Sequence, residues 1–394
     1  MKIPLPDYVY EIMQLLIKNN YECYLVGGAI RNYLLNYKIK DYDLTTNATP
    51  QEMIKVFHDY PKIPTGIKHG TLTILSHLQP IEITTYRIDG EYNDHRHPKQ
   101  VQFSSSLKED CARRDFSINA LCYHPDQGII DFFHGRDDLN KHLIRCIGNA
   151  EERFDEDALR ILRALRFAAR LNFKIEAKTT KAMFKKRNLL SYISKERIHA
   201  ELIQFFSYEN SASFLELYFE IFISAIPALS TINQHFVFHN MKKKPLSTIS
   251  RLAILFSTLP NYHYVLKEMT FSNEEIKKIE NIIQYQTLSL NSSYDAYHLL
   301  SIFKEFKDYI QYRVAIDPSL DYAHLMSWLH KLKNDAIPTS LSELKFNGYD
   351  AQKVGYKGIA IKNILNELLE LCMKEKLSNE YSDLRSYAKR KLNS

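Results

Sequence analysis

The stretch Leu25-Val26-Gly27-Gly28-Ala29-Ile30-Arg31, followed by Lys40-Asp41-Tyr42-Asp43-Leu44-Thr45, organises the chain around it. The apolar run Tyr21–Val26 reads as a short strand ending in the glycine pair, and Ala29–Asn36 reads as a helix opening directly after it. Two residues without side chains at a strand-to-helix turn let backbone N–H groups approach a phosphate, which a helix N-terminus also favours. Arg31, one turn along, can add a planar guanidinium to such an anion. For the glycines alone, a plain turn is the alternative. A second strand is expected around Asp41–Thr45, where residues i and i+2 share a face. Asp41 and Asp43 would then converge, which is unfavourable unless a cation lies between them, and hard oxygen donors in a partly open site suit Mg²⁺. An exposed, solvated pair is the alternative. Glu82, in Ile81-Glu82-Ile83-Thr84-Thr85-Tyr86-Arg87, is either a further metal ligand or the solvent face of an edge strand.

Outward from this stretch, residues 7–18 have the period of an amphipathic helix, and Thr49-Pro50-Gln51-Glu52 opens another, with Thr49 as N-cap and Pro50 at its first position. Residues 71–76 and 81–87 alternate, are rich in β-branched residues and read as paired strands, and Val101-Gln102-Phe103 resumes the sheet. The polar run Asp89–Gln100 between them reads as an exposed loop. From about residue 150 onward strand signals nearly vanish. A long amphipathic helix is expected over Phe154–Leu171, with helical periods continuing to a last one at 358–375. An α/β unit followed by an all-helical arm is the α+β architecture this predicts.

The bulk properties set limits. At 394 residues the chain is too long for one core. A net charge of +6 and a pI near 8.8 are compatible with a nucleic-acid partner without establishing one. The cysteines Cys23, Cys111, Cys122, Cys146 and Cys372 form no C-x-x-C pair and have no zinc-ligand spacing, so free thiols are expected. The first twenty residues lack a signal-peptide order, and no run of 18 apolar residues offers a membrane span. A cytoplasmic protein is the expectation. The oligomeric state is left open, a homodimer being compatible with the sequence.

Further motifs follow in order. Arg113-Arg114-Asp115-Phe116-Ser117-Ile118-Asn119 combines guanidinium and carboxylate groups, for which a salt-bridged helix start is the plain reading. Gly135-Arg136-Asp137-Asp138-Leu139 precedes Ile144-Arg145 and Ile147-Gly148. In Glu156-Asp157-Ala158-Leu159-Arg160, Asp157 and Arg160 are i and i+3 and would share a helical face, an ordinary surface ion pair being the alternative. Arg163, Arg166 and Arg170 continue the ridge, and Ser194 is placed to N-cap the helix of Lys195–Leu202.

Gly-Gly with aspartates thirteen and fifteen residues after Gly28 resembles the polymerase β-like nucleotidyltransferases. With the later motifs, the chain looks like the bacterial class II tRNA CCA-adding enzymes and their poly(A) polymerase relatives, in patches from about residue 20 to about 380. Phe346-Asn347-Gly348-Tyr349-Asp350, Gly358 and Leu377–Glu380 are similar to the helical tail of Gram-positive members. The resemblance implies a catalytic head over 1–145, a nucleotide-selecting neck over 146–207, a body over 208–310 and a tRNA-binding tail over 311–394, elongated and helical beyond the head. It implies Mg²⁺ on Asp41 and Asp43, with Glu82 beside them. It implies ATP and CTP bound through Gly27, Gly28, Arg31, Arg114, Asp115, Asn119, Asp157, Arg160, Arg163 and Arg166, and the 3′ acceptor end of tRNA as the group that is extended. Asp115 and Asn119 suit a 2′-hydroxyl. A carboxylate that accepts from an exocyclic amine and an arginine that donates to the adjacent ring nitrogen suit cytosine and adenine and mismatch uracil and guanine, so Asp157 and Arg160 could select CTP and ATP without a template. Residues 135–148 resemble a hinge, and 194–202 a structural support of the neck. Two departures stand out: Arg31-Asn32 replaces Arg-Asp, removing an ion pair, and Asp94-His95-Arg96-His97-Pro98 replaces Asp-His-Arg-Arg-Pro in a loop that favours full CCA addition. A poly(A) polymerase, a CC-only or A-only enzyme, and a non-catalytic RNA-binding protein are the other readings.

Overall fold

The computed structural model describes residues 2–63, 66–89, 101–302 and 306–394, which form two compact units, 1–230 and 231–394. In the first, α1 (Asp7–Lys18) buries Val9, Ile12, Met13 and Leu16, one stripe at i, i+3, i+4 and i+7. Next come β1 (Cys23–Val26), α2 (Gly28–Leu34), β2 (Asp43–Thr46), α3 (Pro50–Val56), β3 (Lys62–Ile63), β4 (Thr71–Ser76) and β5 (Gln79–Thr85). Thr49 caps α3 through a reciprocal box with Glu52, as the Thr-Pro-Gln-Glu run predicts. After β6 (Arg87–Asp89) and β7 (Val101–Phe103) follow α4 (Leu107–Ala112), β8 (Cys122–His124), β9 (Gly128–Ile130) and α5 (Gly135–Asn140).

The main sheet has the order β3-β4-β5-β2-β1-β8-β9, with only β2 and β5 parallel. β7 pairs with β6 in a separate ribbon, so 101–103 does not resume the main sheet as expected. The loop motif at 94–98 lies outside the described residues.

A parallel pair, β10 (Leu143–Ile144) with β11 (Lys174–Ile175), brackets α6 (Ala150–Glu156) and α7 (Leu159–Leu171). The long helix expected over 154–171 is therefore two helices, broken where Asp157 adopts extended backbone (φ −144°, ψ 100°) and its side chain accepts from the Leu159 N–H at 3.1 Å. An aspartate that bonds its own backbone competes with helix continuation. α8 (Ala177–Lys186) packs on α6, and α9 (Lys195–Phe206) packs on α7. Ser194 occupies the N-cap of α9 but makes no side-chain cap bond, contrary to the reading of a capping serine. The short helices α10 (Ser211–Leu217) and α11 (Phe219–Ala225) follow.

The second unit is helical among the described residues. α12 (Gln234–Met241), α13 (Thr248–Phe256), α14 (Tyr262–Glu268) and α15 (Asn273–Gln284) lead into α16 (Ser293–Ile302), α17 (Phe306–Ile316) and α18 (Tyr322–Asn334). α13 is buried along nearly its whole length, against α15 and α17. α19 (Gly348–Val354), α20 (Ile359–Met373) and α21 (Tyr381–Leu392) close on a cluster around Phe346, Leu368 and Leu384. α12, α14 and α21 were not expected from the helical period. α21 buries only Leu384 and Ala388 of its twelve residues, too thin a stripe for the period to show.

Candidate active site

The glycine turn is fixed by backbone geometry. Gly27 sits at φ 72°, ψ −130°, a conformation L side chains rarely adopt, and a Cβ there would lie 3.5 Å from Nη1 of Arg114. The corresponding position on Gly28 lies 3.4 Å from Nη2 of Arg31, so two guanidinium groups flank the turn. Val26, immediately before it, pairs with Asp43 across β1 and β2. On the other side of β2, Asp43 is in register with Glu82 of β5. Sheet order makes β5 an interior strand, so Glu82 does not lie on an edge strand, although its side chain is exposed. Asp41 lies two residues before the start of β2, outside the strand, so the same-face argument for the aspartates does not apply. Asp41 is nevertheless close enough to act on Asp43. Desolvation, then the charges of Glu82 and Asp41, push the Asp43 carboxyl above its ordinary value, against the pull of Arg114.

Two further carboxylates, Glu82 and Asp41, therefore bear on Asp43 at this point. Among the described residues no group of three or more His, Cys, Asp or Glu side chains is arranged to hold a metal ion.

A cavity of about 550 Å³ opens beside this point, lined by Gly27, Gly28, Asp43, Asn119 and Phe167, among others. Its walls carry nine arginines against three aspartates, an excess of positive charge that calls for a polyanion. A second hollow of about 630 Å³, bordered by Phe133, Arg145, Gly148 and Lys181, holds none of the candidate residues.

The arginines are held by a chain of bonds, some between neighbours in sequence and some between residues far apart. Asp110, fully buried, accepts from Nε of Arg113 at 2.9 Å and from Nη2 of Arg114 at 3.1 Å. Burial pushes its carboxyl up, and Arg114 and Arg113 more than reverse this. Replacing Asp110 by Ala leaves two largely buried guanidinium groups uncompensated, and a loss of about 3 kcal/mol is expected in urea unfolding, with Asp110→Asn less affected.

Asp115 accepts from Nε and Nη2 of Arg163 at 2.9 and 2.6 Å, from Nδ2 of Asn119 at 3.0 Å and from the Phe116 N–H at 2.8 Å. Asn119 in turn accepts from Nη1 of Arg31 at 2.5 Å. Asp115 and Asn119 are thus committed to arginines and to each other. Arg31 also donates to Oδ1 of Asn32 at 3.0 Å, a neutral acceptor at the position where the resemblance would place a carboxylate. Arg166 pairs with Glu201 at 2.6 Å and donates to Gln204 at 2.6 Å. Phe167 gathers Arg31, Arg163 and Arg166, whose guanidinium carbons lie 5.1, 5.6 and 4.4 Å from its ring centroid.

Burial would raise the Asp115 carboxyl, but Arg163 and the hydrogen bonds hold it at about 2, below its ordinary 3.8. A carboxylate depressed on folding stabilises above its unfolded value and loses that stabilisation as pH falls through the folded one. About 2 kcal/mol should therefore disappear between roughly pH 4 and pH 2. Unfolding free energies measured across that window should show a shallower fall for Asp115→Asn.

Asp157 and Arg160 are each oriented by a third group. Oδ2 of Asp157 accepts from Arg197 of α9 at 2.8 Å. Arg160 pairs with Glu156 at 2.6 Å and donates to the carbonyls of Arg153 and Arg113 at 3.1 and 3.0 Å. Both line the cavity, although Asp157 sits in the break between α6 and α7 and not on the helical face expected for it. Arg197, Glu201, Asp110, Asn32 and Phe167 were not singled out from sequence as parts of the site. Arg197 and Glu201 pair with residues far along the chain, whereas Asp110 meets Arg113 and Arg114 at i+3 and i+4 and Asn32 adjoins Arg31, local spacings that carried a signal.

Comparison with known proteins places the chain in a family. Residues 23–145 match the family model described as "Poly A polymerase head domain", and residues 172–225 match "Probable RNA and SrmB- binding site of polymerase A". A CCA-adding enzyme of Oceanobacillus iheyensis is 40% identical over 290 residues, spanning 71% of this chain and 72% of its own. One from Lactobacillus helveticus is 30% identical over 97% of both chains. The chain belongs to the CCA-adding enzyme family. The fold agrees: a Bacillus stearothermophilus CCA-adding enzyme solved in complex with CTP superposes with a TM-score of 0.77, at 24% identity, over 99% of this chain and 98% of its own. As a CCA-adding family member the chain is a nucleotidyltransferase, and the family is dependent on divalent metal. Among the described residues no helix is long and apolar enough to cross a membrane.

Proposed function

We infer that this chain adds C, C and A to the 3′ end of tRNA from CTP and ATP, releasing pyrophosphate, without a nucleic-acid template. The observation that supports this best is the convergence of Asp43, the Gly27-Gly28 turn, Asp157 and Arg160 on one strongly cationic cavity. Asp41 and Asp43, with Glu82 beside them, would hold Mg²⁺, which supplies charge neutralisation at the α-phosphate as the tRNA 3′-hydroxyl displaces pyrophosphate.

The protein's own groups do the rest. Gly27 and Gly28 leave room for the phosphates, and Arg31 and Arg114 on either side meet their charge. Asp157, steadied by Arg197, accepts from the exocyclic amine of cytosine or adenine, and Arg160, steadied by Glu156, donates to the neighbouring ring nitrogen. Asp115 and Asn119 act through Arg163 and Arg31 as much as through the ribose. The head corresponds to 1–145, the neck to 146–207 and the body to 208–310, and the helical tail from 311 onward grips the tRNA by shape and phosphate contacts. A protein working on tRNA in this way acts in the cytoplasm.

Incubating tRNA lacking its 3′ end with CTP and ATP tests this reading. Addition of three nucleotides ending in CCA supports it. Long A tracts would instead identify a poly(A) polymerase, and arrest after CC or a requirement for CC-ended tRNA a partial enzyme. No turnover with Mg²⁺ would leave a non-catalytic RNA-binding protein.

A further inference from the structure

We propose that Arg170 binds the β,γ-diphosphate of the incoming nucleotide, and therefore the pyrophosphate product; the proposal rests on the nucleotide reading of this cavity. Arg163, Arg166 and Arg170 follow one another at i, i+3 and i+7 on α7 and project from one face. The first two are committed, Arg163 to Asp115 and Arg166 to Glu201 and Gln204. Arg170 lines the same cavity and, among the described residues, makes no ion pair or hydrogen bond. It is also the cation that bears most strongly on Arg31. Burial lowers the Arg31 guanidinium to about 10, and of the charges around it Arg170 contributes most to that lowering. Two neighbouring guanidinium groups, one without a counter-charge and the other with only neutral bonding partners, are stabilised by an anion between them.

The position along α7 says which part of the ligand this is. Arg160, at the base-selecting end, and Arg170 are ten residues apart, roughly 15 Å of helix. That is comparable with a nucleoside triphosphate laid from base to terminal phosphate. With the base at Asp157 and Arg160 and the α-phosphate at Asp43, the far phosphates fall at Arg31 and Arg170. A purely structural role, a cation in the last turn of α7, would be felt in stability and not in ligand affinity.

The test compares wild type, R170A, R170Q and R170K. Loss of one charge-assisted phosphate contact should raise KM for CTP and for ATP alike, by about tenfold to a hundredfold. The inhibition constant of inorganic pyrophosphate should rise in parallel, and R170K should recover part of both. The affinity for tRNA lacking its 3′ end and the CTP-to-ATP preference should stay within about twofold of wild type. Unchanged KM and pyrophosphate inhibition, or a loss confined to tRNA affinity, overturns the proposal. Should R170A fail to fold, R170Q, which keeps the length and loses the charge, gives the same reading. Calorimetric binding of pyrophosphate, done in parallel, separates the two levels. An inactive wild type that binds pyrophosphate through Arg170 defeats the assigned reaction and not this contact, whereas an active wild type whose R170A variant binds pyrophosphate normally defeats only the contact.

Discussion

Asp43→Asn is expected to lower nucleotide addition to tRNA by at least about a thousandfold, a barrier increase of roughly 4 kcal/mol, with little change in folding. Asp43 pairs with Val26 on one side and Glu82 on the other and is the carboxylate on which neighbouring negative charge accumulates. An amide removes one charge from the group that would hold the divalent ion and relieves repulsion at the same stroke. The variant should therefore be at least as stable as wild type in urea while being nearly inactive. This combination separates a ligand from a structural residue. Single-turnover addition of C with saturating CTP is the measurement, and a variant retaining more than about a tenth of the wild-type rate would exclude Asp43 as a ligand. Asp41→Asn and Glu82→Gln in the same assay rank the three carboxylates, which the register alone does not.

The second large effect is expected at Asp157. Asp157→Asn keeps the volume and an oxygen able to accept from the Leu159 N–H, so the break between α6 and α7 should survive. It also puts an N–H where the carboxylate accepted. Each correct base-edge contact is worth about 1–3 kcal/mol, so kcat/KM for CTP and ATP should fall by roughly 5- to 150-fold. UTP, whose carbonyl can accept from the new amide, should gain relative to CTP. Competition between UTP and CTP on tRNA lacking its 3′ end reads the ratio directly, and an unchanged ratio would remove Asp157 from base selection. Arg197→Ala should move the ratio in the same direction by less, because it frees the carboxylate that Arg197 now orients at 2.8 Å. Leaving Asp157 without its partner should cost some stability as well, so the ratio, not the rate, is the informative quantity.

The parts of this protein legible in sequence are those whose physics is local. The strand, glycine turn and helix at 23–34 depend on neighbours in the chain, as does the Thr49–Glu52 box that starts α3. The loss of strand patterning near residue 150 reflects side-chain periodicity, so the α/β head and helical remainder could be read directly. Motif order then pointed to the family, because residue types at set spacings survive without knowledge of contacts.

Tertiary structure alone decided which charges are available. Asp115 and Arg163 lie 48 positions apart and Asp157 and Arg197 lie 40 apart, and no local pattern pairs them. Sheet order made β5 an interior strand and set Glu82 beside Asp43, whereas the sequence read Glu82 as either a metal ligand or the solvent face of an edge strand. Asp157 breaks a helix that its apolar period would have continued, because one bond from its own side chain to the Leu159 N–H outweighs propensity at that residue. Spacing along a chain specifies which residues can share an element. Which arginine keeps a free charge depends on where every carboxylate ends up, and that is settled only when the whole unit has packed.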